Sequence, residues 1–278
     1  MRDHSRAGAV NWLYAAPAML VMAVVSLLPI GYTFRLAGEY HRLAVDTRFV
    51  PVMLTTMSLT AVTVALELLL GLVMALGLWS PFRGRGLVRA AVLIPWALPT
   101  AVMAMAWRWI FNADSGVMGD LMFRLGLVSS PQVAWLADAT SAFWAIVLAD
   151  VWKTTPFMAV LLMSGLAAIP DELYEAAAID GAGPLRRFFI VTFPLLKPTM
   201  VVAVIFRAIQ TFGLFDLVYV LTGGGPGGRT QTIAVYAYDV VFRYQELAYG
   251  CALVVAMALC LVLMTGLMLA VSRGKEAR

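Results

Sequence analysis

Six apolar runs, each long enough to cross a bilayer, constrain this chain more than any motif it carries. They lie at about residues 12–34, 50–78, 87–111, 140–167, 199–221 and 247–272. A hydrocarbon core of about 30 Å takes roughly 20 helical residues. Inside lipid every backbone polar group must be satisfied within the protein, so the runs are expected to be helices; the dyad alternation of a membrane barrel is absent. Composition agrees. Of 278 residues 62% are hydrophobic and 13% charged, whereas soluble domains carry about 45–50% and about 25%. The expectation is an all-α polytopic membrane protein with six transmembrane helices, forming one domain over residues 1–278.

Loop charges set an orientation. Arg2, Arg6, Arg83, Arg85, Arg89, Arg186, Arg187, Lys197, Arg273, Lys275 and Arg278 flank one side, eleven of the twenty cations. Arg35, Arg42, Arg48, Arg124, Arg229 and Arg243 flank the other. The positive-inside rule then places both termini in the cytoplasm. Trp12, Trp79, Trp107, Trp109, Trp135 and Trp144 fall near span ends, where interfacial anchors belong. The first run follows cations as a signal peptide would, but it exceeds a 7–15-residue h-region and lacks an obvious small-residue cleavage site, so it reads as a retained span. In such a chain a net charge of +4 reports topology, and nucleic acid is not an expected partner.

The segment at about 169–198 is too long for a simple connection. Asp171 follows Pro170 and is expected to cap a helix whose first turns hold Asp171, Glu172 and Glu175, where carboxylates favour the dipole. Ala176, Ala177 and Ala178 favour helix, Gly181 and Gly183 break it, and Pro184 suits the start of a second helix, which Pro194 and Pro198 are expected to end. Physical chemistry alone leaves two readings: an amphipathic hairpin lying on the membrane, or an element that docks on a partner.

Glu175-Ala176-Ala177-Ala178-Ile179-Asp180-Gly181-Ala182-Gly183, followed by Phe188, Val191, Phe193-Pro194 and Pro198, closely resembles the EAA loop of the inner-membrane permeases of binding-protein-dependent ABC importers. The family pattern has Leu where this chain has Phe193. Gly165 to Tyr174, Pro95-Trp96, Trp107-Arg108-Trp109, Trp152-Lys153, Thr155-Pro156-Phe157 and the stretch from Phe215 to Pro226 are similar to the sugar-type branch, the maltose and glycerol-phosphate-like permeases. The resemblance implies a type I importer permease fold in the inner membrane of a prokaryotic cell. It implies a second homologous permease, a dimer of ATPase subunits that bind ATP and Mg, and an extracytoplasmic solute-binding protein. Asp171, Glu175, Ala176, Ala177, Asp180, Gly181, Ala182 and Gly183 are then expected to couple the chain to the ATPase, with Ala176 and Ala177 small enough to sit deep in a groove.

Ionisable groups inside spans cost about 2.5–3.5 kcal/mol near a helix centre and need partners or a wet cavity. Asp150 and Lys153 lie one turn apart and can pair with each other; Glu67, Arg207 and Asp216 fall within other runs. They are either internal ion pairs or part of a solute path. The resemblance favours Asp150, Lys153, Thr154, Phe157, Gln210, Thr211 and Gly213 for that path, a set offering both hydroxyl-matching groups and an aromatic face. Pro95 and Pro99 are expected to kink the third span, as a static bend or as a gate. The run from Gly223 to Gly228 lacks the Gly-Lys-Ser/Thr ending of a phosphate loop and reads as a flexible external turn. Cys251 and Cys260 are about 13 Å apart along one helix, too far for a disulfide. No catalytic or metal-binding constellation and no cofactor is expected in the chain. An ion-coupled secondary transporter, working alone, is the alternative; no internal repeat supports it.

Overall fold

The structure is a computed structural model that describes the backbone of residues 3–273 and the side chains of residues 16–272. The side chains of Arg2, Arg6, Trp12, Arg273, Lys275 and Arg278 lie outside the described residues. In chain order the helices are α1 (Asp3–Leu36), α2 (Arg42–Val45), α3 (Phe49–Trp79), α4 (Arg85–Val92), α5 (Ile94–Ala97), α6 (Thr100–Ile110), α7 (Val117–Arg124) and α8 (Ala139–Leu166). They continue with α9 (Asp171–Ile179), α10 (Pro184–Arg187), α11 (Phe193–Phe212), α12 (Asp216–Leu221), α13 (Ile233–Tyr238) and α14 (Leu247–Arg273). π-helical turns occupy Phe188–Thr192 and Asp239–Arg243.

Among the described residues five helical stretches are long and apolar enough to cross a membrane, and a bent pair makes six when counted as one span. The pair is Arg85–Ala97 with Thr100–Ile110, meeting at 86°. Pro95 and Pro99 explain the break. Proline lacks the N–H of the helical ladder, and the residue before it is pushed to extended backbone. Leu98, which precedes Pro99, has ψ 137°.

The fifth span differs from its expected bounds at both ends. A continuous apolar helix runs over Pro184–Phe212, and the remainder forms α12 after a break at Gly213. Pro194 and Pro198 do not end it. Pro194 stands in the first turn of α11, just after the π turn, where a missing N–H is tolerated. Pro198 lies inside α11.

By contacts the described residues gather into two compact units, residues 3–46 with 237–259, and 47–236 with 260–273. In the first, Arg42 pairs with Glu39 and Glu246, each at 2.7 Å, and lies 4.3 Å over the Tyr249 ring, while Tyr249 donates to Asp46. In the second, α3, α8 and α11 pack on one another, and α12 packs on α6. Its core has two apolar clusters. One holds Leu59, Met103, Ile146, Leu217 and Leu221; the other holds Ala75, Met158, Leu162, Ala177, Leu196 and Ala203. At the start of α8 the Asp138 carboxylate accepts from the backbone N–H of Thr140 and Ser141 at 2.9 and 3.0 Å. The Ser141 bond, more than that of Thr140, holds this carboxyl below its ordinary range.

In lipid, helix association rests on packing, so small residues at crossings matter. A Cβ added at Gly165 of α8 would lie 2.6 Å from Thr199 Oγ1 and 2.7 Å from Leu196 Cδ1 of α11. One at Gly77 would meet nothing within 4 Å. Gly165→Val is therefore expected to cost about 1–3 kcal/mol through overpacking and to lower the thermal midpoint of the detergent-purified protein, while Gly77→Ala leaves it unchanged or slightly raised. Equal midpoints for the two variants would show that the α8–α11 crossing is looser than its geometry.

Candidate functional site

The structure holds two candidate sites, a buried polar centre around Arg207 and the hairpin at residues 169–198.

Arg207 of α11 is the hub of the polar centre and is only 4% exposed. Its Nε donates to Glu67 Oε2 at 2.7 Å and its Nη2 to Glu67 Oε1 at 2.8 Å, a bidentate pair across α3 and α11. Nη2 also faces Asp150 Oδ2 at 3.3 Å, Thr154 Oγ1 at 3.2 Å and Thr211 Oγ1 at 3.0 Å, and Nη1 donates to Gln210 Oε1 at 2.6 Å. The Thr154 hydroxyl lies within hydrogen-bonding reach of both Glu67 Oε1 and its own helix's Asp150 carbonyl. Three helices are thus tied at one point, where a single guanidinium is shared between two carboxylates.

This arrangement corrects the expected Asp150–Lys153 pair. Asp150 turns to Arg207, whereas Lys153 Nζ donates to the carbonyls of Leu98 at 2.9 Å and Trp96 at 3.4 Å. Those carbonyls lie at the break between α5 and α6, where no helical N–H follows to take them, and a cation suits a helix C-terminus. The expected path residues therefore separate. Asp150, Thr154 and Thr211 are buried and committed to Arg207, and Lys153 is committed to the break. Gln210 and Gly213 are exposed, and Phe157 is half-buried. The Phe157 ring stacks on Trp96 with centroids 5.1 Å apart and leans on Phe206 at 5.6 Å. Trp96 and Phe206, each 44% exposed, extend this aromatic face. Phe206 could have been found from sequence, since it lies one helical turn before Gln210; Trp96 depends on the third-span break. Asp216 stands exposed at the start of α12.

The hairpin is a closed unit. Asp171 does not cap α9: Pro170 occupies the N-cap with extended backbone, and Asp171 is the first helical residue with no side-chain cap bond. At the other end Ala182 N–H donates to Ala177 O at 2.9 Å and Gly181 N–H to Ala178 O at 3.0 Å. That is a Schellman closure, with Gly181 at φ 77° in the left-handed position that favours glycine. Its apolar contact is Ala177 against Ala182, both buried in this chain's own core. Ala177 and Ala182 therefore face inward, contrary to the expectation that Ala177 enters a partner's groove. Asp171, Glu175, Ala176, Asp180, Gly181 and Gly183 face outward. So do Ile179 and Leu185, 87% and 73% exposed, two apolar residues that the motif alone does not single out. The Tyr174 hydroxyl lies 3.1 Å from Thr192 Oγ1, tying α9 to the π turn that runs into α11.

The turn from Gly223 to Gly228, expected to be flexible, is held by hydrogen bonds from Thr230 Oγ1 to the Gly225 carbonyl at 2.5 Å and between the Thr222 and Thr230 hydroxyls at 2.9 Å. Among the described residues no group of His, Cys, Asp and Glu is arranged to hold a metal ion.

Residues 67–276 match the family described as binding-protein-dependent transport system inner membrane component, and the chain belongs to that family. It is 43% identical over 250 residues to the trehalose/maltose transport system permease protein MalF of Thermococcus litoralis, covering 84% of each chain. It is 37% identical to the sulfoquinovosyl glycerol transport system permease protein SmoG of Agrobacterium fabrum, covering 95% of this chain and 90% of that one. Its fold matches a chain of a bacterial ABC transporter that imports alginate, with a TM-score of 0.84 over 98% of this chain and 99% of that one, at 18% identity.

The polar centre carries a ranked prediction. Arg207→Met leaves Glu67 and Asp150 buried without their cation, and breaking a buried pair costs about 3–5 kcal/mol. Glu67→Gln, which removes the bidentate partner, is expected to cost less, and Asp150→Asn less again because its contact is longer. Thermal midpoints of the purified variants measure the order; a midpoint for Arg207→Met equal to that of the unsubstituted protein would remove the ion pair's structural role.

Proposed function

We propose that this chain is a permease subunit of an ATP-driven importer that carries a carbohydrate or a related polyol through the inner membrane of a prokaryotic cell. Both termini and the 169–198 hairpin then lie on the cytoplasmic side. The names of the relatives support the solute class: trehalose, maltose and sulfoquinovosyl glycerol are all sugars or glycosides. The partners are a second homologous permease, a pair of ATPase subunits that bind ATP and Mg, and an external solute-binding protein. A complex of a bacterial alginate transporter with a periplasmic protein supports the last of these; one of its chains shares this fold, with a TM-score of 0.81.

The observation that carries the proposal is continuity. The hairpin's outward face, with Glu175, Ala176, Ile179 and Asp180, is joined by a Schellman turn and a π turn to α11, the helix that carries Arg207 and Gln210. Closure of the ATPase pair on that face displaces α11 and, through Arg207, the α3 and α8 helices. The central cavity then turns outward to take solute, and hydrolysis resets it. A ligand shifts such an equilibrium only by its difference in contact energy between the two states, so the hairpin's contacts must differ between them. Gln210 and the Phe157 face, extended by Trp96 and Phe206, give the solute a polar edge and an aromatic surface.

The decisive experiment reconstitutes the chain with its co-purified subunits and measures uptake and ATP hydrolysis separately. Glu175→Lys reverses a charge on the outward face, and Gly181→Leu strains the left-handed turn. Both are expected to insert normally but to lose uptake by roughly tenfold, the scale of ordinary coupling energies, while hydrolysis persists. Normal uptake at normal expression would overturn the coupling role, and uptake by the chain alone, driven by an ion gradient, would establish a secondary transporter instead. Within the same assay Phe157→Ala is expected to raise the KM for uptake roughly tenfold, the loss of an aromatic contact of about 1 kcal/mol or slightly more, without changing hydrolysis in the absence of solute.

A further inference from the structure

Beside the hairpin lies a cavity whose chemistry the transport reading does not use. It measures about 790 Å³ and is lined chiefly by Leu76, Tyr174, Leu185, Arg187, Phe188 and Thr192. Arg187 is half-buried, and its Nε is closed off from solvent without a hydrogen-bond partner. Among the described residues no carboxylate pairs with it. A guanidinium donor shut away without an acceptor is unfavourable, so the position suits an incoming anion. Next to it the Tyr174 and Thr192 hydroxyls share one hydrogen bond at 3.1 Å, which leaves the second hydroxyl proton free to donate.

The rest of the lining is apolar, and the cavity's depth is informative. Leu76 stands one turn before the end of α3 at Trp79. A helix of 31 residues is about 46 Å long, more than the hydrocarbon core of about 30 Å. Its last turn, ahead of Arg83 and Arg85, therefore reaches headgroup level. Leu185, Phe189 and Ile190 are exposed along the same stretch of chain, so the apolar wall continues outward.

We propose that this cavity binds an anionic phospholipid, with its phosphate on Arg187 and the Tyr174–Thr192 hydroxyl pair and an acyl chain along Leu76 and Phe188. A carboxylate from a partner protein would match the charge but leave the apolar lining uncovered. Basic cavities between spans at the cytoplasmic surface have the chemistry for such headgroups. The bound lipid would bridge α9 and the π turn, bracing the hairpin against the membrane. The inference does not depend on the transported solute or on the coupling mechanism.

The test uses the full chain, purified in mild detergent with the subunits that accompany it. Native mass spectrometry is run with added phosphatidylglycerol or phosphatidylcholine, and thermal midpoints are read in the same mixtures. Phosphatidylglycerol is expected to be retained in preference to phosphatidylcholine and to raise the midpoint. Arg187→Gln is expected to lose this preference by roughly tenfold, the value of a charged hydrogen bond, while Arg186→Gln, at an exposed neighbour, keeps it. Tyr174→Phe, which removes one hydroxyl and keeps the ring, is expected to weaken retention and serves if Arg187→Gln fails to assemble. Equal retention by unsubstituted protein and Arg187→Gln overturns the proposal. So does a midpoint shift reproduced by inorganic phosphate alone, which would mark a free-anion site. Absence of any lipid preference together with rescue of Arg187→Glu by a charge reversal on the ATPase subunit would assign the cavity to a protein carboxylate instead.

Discussion

The bidentate pair between Arg207 and Glu67 is the constraint on which the rest of the structure depends. Both groups are almost fully buried, in a part of the chain surrounded by apolar side chains and crossing a membrane. Charges are tolerated there only when each lone pair and donor finds a partner. The partners come from three helices: Glu67 from α3, Asp150 and Thr154 from α8, Gln210 and Thr211 from α11. A slide of one helix by a turn would strand a charge. The pair therefore fixes axial register between apolar surfaces that by themselves would pack in several ways. Gly71 and Gly165 complete this by letting α3 and α11 approach α8 closely, against Met158 and Thr199 respectively.

Register alone does not make a machine. The hairpin reaches α11 without an intervening flexible loop, because the π turn at Phe188–Thr192 carries helical backbone directly into Pro194. A π turn inserts one residue into the ladder, and Pro194 follows it in the first turn of α11 without ending the helix. The two features that would each suggest interruption combine to give continuity. The outward face of α9 is thereby joined to a helix whose far end is held by an ion pair.

Much of this was legible in the sequence, and the failures have physical causes. The apolar runs located the spans, and Glu175 to Gly183 located the hairpin and the glycine break at Gly181. The fifth span was misplaced because Pro194 and Pro198 read as terminators when judged singly, and no sequence rule reveals a π turn. Ala177 was expected to face a partner because smallness suits any close contact; only the structure tells that its contact is Ala182. Asp150 and Lys153 were expected to pair because spacing shows neighbours on one helix, and is silent about Arg207 on another. Lys153 found its partners at a break whose angle no proline count could supply.

The breaks themselves follow a pattern. The third span stops at Leu98 and resumes as α6; the fifth stops at Phe212 and resumes as α12. These two second segments pack on each other through Met103, Ala104, Leu217, Val218 and Leu221. Each is joined to its first segment by a few residues outside helical geometry, which are the positions able to absorb large dihedral changes. The Arg207 centre lies on the first-segment side of the α11 break, and Lys153 holds the carbonyls on the first-segment side of the third-span break. The polar ties thus brace the segments nearest the hairpin and leave the paired second segments attached through α6–α12 packing and contacts with α8. In this fold buried charge marks the braced segments, while proline and glycine mark the joints between them.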